Sequence, residues 1–157
     1  MSRLGAIVGG AVMAAILAVP ACASADCKLL LVAEFKLDPN RYAPILDGSI
    51  NGHPVKVLID SGAGFSMVTA HEAQALGLPT VEMRGMRAYG IGGDTQLYRA
   101  HISQLKIGDL QRANMDLYVA GDTSASWPFA IVLGEDFLSK VDVEFDLPDK
   151  AIRLYRR

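Results

Sequence analysis

An apolar run that ends on a carboxylate constrains this chain more than any other feature. Val55-Lys56-Val57-Leu58-Ile59 leads straight into Asp60, and Asp60 opens the tight sequence Ser61-Gly62-Ala63. The run is apolar apart from Lys56, which predicts a central strand buried on both faces. Ending such a strand on a bare carboxylate is costly, because the charge loses water unless hydrogen bonds replace it. Gly62 lets the backbone approach closely enough for its amide to point at that carboxylate. Ser61 offers a hydroxyl for a further bond. Asp-Ser-Gly is also an ordinary turn sequence, so its meaning depends on what accompanies it.

The surrounding segments read as short strands. From Pro44 the sequence is strongly β: Ile45 to Ile50 is one strand, and Asn51-Gly52 is a hairpin turn whose residues tolerate positive φ. Thr69-Ala70-His71-Glu72 matches a capping box and starts a short helix through Leu76, which Gly77 and Pro79 end. Val81 to Tyr89 and Thr95 to Ile107 are extended, joined by the tip Gly90-Ile91-Gly92-Gly93-Asp94. Three glycines at a hairpin tip describe a mobile flap. Gly108-Asp109 turns into a strand at Met115 to Ala120, followed by a polar loop from Gly121 to Pro128. Ala130 to Leu133 is an apolar strand ending at Gly134, Glu135 to Lys140 a short helix, and Val141 to Asp146 and Ala151 to Tyr155 the last strands. The fold class is therefore all-β, with one or two short helices and a closed, barrel-like single lobe.

The N-terminus belongs to a different category. Arg3 precedes an unbroken apolar run from Leu4 to Val19, and Pro20 and the small residues Ala21 to Ala25 close it. This is the pattern of a secretory signal peptide over residues 1–25. It predicts an exported (periplasmic or secreted) protein whose mature chain begins near Asp26. An uncleaved membrane anchor is the alternative, as is lipidation at Cys22; only an uncleaved segment would make the membrane a partner. Residues 26–43 read as a lead-in and 44–157 as the domain. If Cys22 leaves with the signal, Cys27 stands alone.

The chain has 157 residues, 51% hydrophobic and 20% charged, with a formal net charge of −2. That is enough for one globular domain. No basic block points to nucleic acid. His53, His71 and His101 are far apart and no zinc-like spacing occurs, so neither metal nor cofactor is expected. Gly62-Ala63-Gly64 lacks the third glycine of a dinucleotide fingerprint, since Met67 stands there. No Gly-x-Ser-x-Gly elbow is present.

Taken together, Asp60-Ser61-Gly62-Ala63, then Gly90-Ile91-Gly92-Gly93, then Val132-Leu133-Gly134 resemble the retropepsin-like aspartic proteases in order and spacing. The resemblance runs from about Pro44 to Tyr155. It implies an aspartic endopeptidase half, in which Asp60 from two copies of a homodimer forms one dyad and activates water against a polypeptide substrate. It also implies that Ser61 braces the paired loops, that Gly62 and Ala63 line the cleft, that Gly90 to Gly93 close over the peptide, and that Ile131 to Leu133 form the floor. Ser61 stands where threonine is commoner, and it keeps the hydroxyl. Glu135-Asp136 stand where viral members usually carry a basic or neutral residue, which bears on dimer contacts. Asp94 and Asp136 lack the glycine turn that would make either a second dyad member. The rival reading is a non-catalytic exported binding or assembly domain with the same fold. The presence of Asp60, the hydroxyl of Ser61, Gly62 and the flap glycines weighs against it.

Overall fold

The computed structural model describes residues 29–37, 43–90, 93–121 and 127–156. The expected signal segment 1–25, with Cys22, and Cys27 lie outside the described residues, as do Ile91 and Gly92 at the flap tip.

Among the described residues, ten strands make two sheets, accompanied by two short helices. Strand β2 (Ile45–Ile50) turns at Asn51 (φ 49°) and Gly52 (φ 84°) into β3 (His53–Ile59), its antiparallel partner. Beside β3 runs β8 (Ile131–Leu133), in parallel. Strand β4 (Met67–Thr69) follows, antiparallel to β8 and parallel to β7 (Leu110–Ala120). Then come β6 (Gly93–Ile107) and β5 (Thr80–Gly90), each antiparallel to its neighbour. Strand β2 also pairs with β6, matching Gly48 with Ile107 and Ile50 with Leu105. The order β2-β3-β8-β4-β7-β6 thus closes into a six-strand ring, with β5 outside it. The mainly β, barrel-like class read from the sequence is the one observed.

Closure rests partly on the hairpin turn. The Asn51 side-chain carbonyl accepts from the Ser103 and Gln104 amides at 2.8 and 3.0 Å, and its own amide donates to the Gln104 carbonyl at 2.9 Å. One turn residue so docks the β2–β3 tip onto β6. Inside the ring Ile50, Val57, Val68, Ile102, Ile131 and Leu133 are completely buried.

One expectation needs correcting. Strand β3 is not buried on both faces: Val55, Val57 and Ile59 point inward, Lys56 is exposed and Leu58 is half-buried. A ring of strands has one interior, so even an apolar strand alternates within it.

Helix α1 (Ala70–Ala75) begins as the sequence predicts, with Thr69 Oγ1 accepting from the Glu72 amide at 3.3 Å. Helix α2 is only Glu135–Leu138, shorter than expected, because the chain leaves it at Ser139 for strand β9 (Asp142–Asp146). Strands β1 (Leu30–Lys36) and β9 flank β10 (Ala151–Arg156) in a three-stranded sheet. Part of the lead-in is therefore a paired strand. Ile152 and Leu154 of β10 join the barrel core. Arg153 sits in the middle strand and pairs with Glu34 of β1 at 3.1 Å and Asp146 of β9 at 2.8 Å.

Candidate active site

Strand β3 delivers Asp60 to the end of the barrel, and its neighbours fix it there. The Asp60 amide donates to the Leu133 carbonyl at 3.0 Å, extending the parallel β3–β8 pairing by one bond. The Ala63 amide donates back to the Asp60 carbonyl at 3.1 Å, which closes the turn. Gly62 donates its amide to Asp60 Oδ1 at 2.9 Å. Asp60 is half-buried, while Ser61 and Gly62 are exposed.

A second layer lies behind this turn, and the sequence did not reveal it. The buried Ser66 hydroxyl donates to Asp136 Oδ1 at 2.7 Å and accepts from the Gly134 amide at 3.1 Å. The Ser66 amide donates to the same Asp136 oxygen at 2.7 Å. The Glu135 amide donates to the Ala63 carbonyl at 2.8 Å. Four bonds so stitch loop 60–66 to the start of α2. Gly134 is needed for the fit: a Cβ there would stand 2.6 Å from both the Ala63 carbonyl oxygen and the Phe65 carbonyl carbon. Asp136 lacks the glycine turn, and its place here is as the acceptor that holds Ser66.

A groove of about 600 Å³ opens beneath the β5–β6 hairpin. Tyr89, Gly90, Gly93 and Asp94 line it from the hairpin, Val132 from β8, and Trp127 and Phe129 from the segment before β8. The Trp127 and Phe129 rings stack with centroids 5.8 Å apart. Gly90 and Gly93 pair across the hairpin as its last described rung. Of the expected floor residues, Val132 meets the groove, whereas Ile131 and Leu133 are core. Asp60 is not among the groove's lining residues. Its amide bonds to Leu133, the residue after the groove-lining Val132 on β8.

The sequence profile described as "gag-polyprotein putative aspartyl protease" matches residues 46–140, most of the described chain. This chain belongs to the retropepsin-like aspartic protease family. Its domain is 32% identical over 108 residues to DNA damage-inducible protein 1 of Kluyveromyces lactis, covering 67% of this chain and 24% of that protein. It is 30% identical over 117 residues to the UBA domain-containing protein Mud1 of Schizosaccharomyces pombe, covering 73% and 33%. The retropepsin-like chain thus spans about a quarter to a third of the length of these curated relatives. Among solved structures, a retropepsin-like aspartic protease from Rickettsia conorii superposes with a TM-score of 0.56 at 20% identity, over 78% of this chain and 99% of that one. That likeness speaks for the fold.

These relatives correct the expectation of an exported protein. They are named for DNA damage and for a UBA domain rather than for export. An apolar run with a small-residue exit is a compositional pattern confined to one terminal segment, and the domain after it matches proteins of another setting.

Proposed function

We propose that this retropepsin-like chain is an aspartic endopeptidase whose single active site forms between two copies, each giving one Asp60. The observation that carries the reading is the Asp60 turn itself. It is the one Asp-Ser/Thr-Gly of the sequence, it sits at the end of a core strand on the Gly62 amide, and its amide is bonded to β8, whose Val132 lines the groove under the hairpin.

The chemistry follows from the arrangement. Two facing carboxylates cannot both ionise at close range, so they share a proton. The ionised partner takes a proton from water, and the neutral one polarises the scissile carbonyl. Neither a metal nor a covalent intermediate is required. One chain supplies one such carboxylate, so a two-fold pair is the economical source of the other. Ser61, exposed beside Asp60, would brace the two loops; Gly62 and Ala63 would border the substrate. The flap from Gly90 through Ile91 and Gly92 to Gly93 would add strand-like backbone bonds to an extended polypeptide, with Val132 beneath it.

The test is cleavage of a mixed peptide library from acid to neutral pH, beside Asp60→Asn. Cuts that vanish in the variant support the reading. Equal mixing of the two chains at constant total concentration should leave about a quarter of the activity if the dyad is shared, against about half if each chain acts alone. A folded, dimeric chain that cuts nothing at any pH would favour a binding domain instead.

A further inference from the structure

Strand β5 does not run evenly along β6. Glu82 pairs with Tyr98, and the next partner is Arg87 with Gln96, so β5 advances five positions while β6 moves two. The segment Met83 to Met86, which stands opposite Leu97, forms a bulge with Gly85 at φ +75°. A bulge interrupts the ladder and leaves carbonyls without their cross-strand amides. The Gln96 side chain fills that gap. Its Nε2 lies 2.8 Å from the Met83 carbonyl, 3.0 Å from the Met86 carbonyl and 3.1 Å from the Leu97 carbonyl. An amide has only two hydrogens to donate, so both are engaged. The two bulge carbonyls lie at either end of that segment, and one side chain ties them together.

Beyond the bulge the hairpin is paired again. Ladder pairs run from Arg87–Gln96 to Gly90–Gly93, and Arg87 Nε donates to Asp94 Oδ2 at 2.5 Å across it. This arm lines the groove through Ala88, Tyr89, Asp94 and Thr95. A paired arm joined to the barrel through an interrupted ladder has its weakest link at the interruption, and this arm forms part of the groove's lining.

We infer that Gln96 is a positioning residue that pins this link and holds the flap at the angle from which it closes on substrate. The kinetic part rests on the endopeptidase reading; the mechanical part does not. Gln96→Met keeps the side-chain length and removes both donors. In the full-length chain, amide exchange across 87–97 should then quicken about tenfold, the loss of roughly one to two hydrogen bonds, while β2 and β3 amides keep their rates. For a peptide the parent cleaves, KM should rise several-fold with kcat little changed, since substrate capture is weakened and the chemistry is not. Gln96→Lys, which restores a donor on a long stem, should recover part of both effects. Unchanged exchange in 87–97, equal acceleration in β2 and β3, or a faster-exchanging flap with unaltered KM would each overturn the inference. If the parent cleaves no peptide, the endopeptidase reading fails, and the exchange rates still decide whether Gln96 pins the flap.

Discussion

At the scale of single residues, the Asp60 turn depends on two contacts behind it more than on its own sequence. Gly134→Ala should destabilise the domain by about 1–3 kcal/mol, because the added methyl meets backbone that cannot move aside; thermal unfolding checks this. Ser66→Ala should cost about 1–3 kcal/mol, since it removes the bond to Asp136 and leaves the buried Gly134 amide without its acceptor. Urea unfolding would measure it, and a double-mutant cycle with Asp136→Ala should show the two costs to be far from additive. These residues also mark the limit of what the sequence discloses. The Asp60–Gly62 contact is legible because its partners are two residues apart and glycine is chemically distinctive. Ser66 and Asp136 are 70 residues apart, and neither type announces a partner, so the sequence offers Asp136 for comparison with Asp60 and for dimer contacts but not as the acceptor of Ser66.

At the scale of elements, the three-stranded sheet of β1, β10 and β9 is held across its face by charge. Arg153 draws Glu34 below the ordinary glutamate range, chiefly by its hydrogen bond, with Lys36 adding to this. Asp146 is lowered first by the Asp149 amide and then by Arg153. A carboxylate lowered in the folded state contributes stability that is complete above its unfolded pKa and is lost as pH falls through its folded one. The stability gap between the parent and Arg153→Met should therefore be full near neutral pH and shrink below about pH 4, as unfolding at a series of pH values would show. Strand positions were readable in the sequence from β-rich runs and turn residues. Their faces were less so: β3 looks apolar apart from Lys56, and only ring closure decides that Leu58 stays half outside. The lead-in's pairing with the last strand was equally hidden, since Glu34 and Arg153 lie 119 residues apart.

At the scale of the whole molecule, closure and pairing govern behaviour. Asn51→Ala removes the acceptor of two β6 amides at the seam and should cost about 1–3 kcal/mol, with exchange rising first at Ser103 and Gln104. If activity belongs to a pair, specific activity should fall on dilution and return on concentration, whereas a self-sufficient monomer would keep it constant. A closed ring has another effect, on how these molecules tolerate one another. Six strands spend most of their backbone hydrogen bonds within the ring, and β5 is left as a long strand that, among the described residues, pairs on one side only, with Val81 and Tyr89 exposed along it. Such a strand invites a neighbouring chain to add to it and start a polymer. Here the invitation is spoiled midway: the kink at Gly85 breaks the straight run of donors and acceptors, and exposed Glu82, Arg84 and Arg87 surround it with charge. The irregularity at the base of the hairpin thus works against these molecules zipping together edge to edge in a crowded solution.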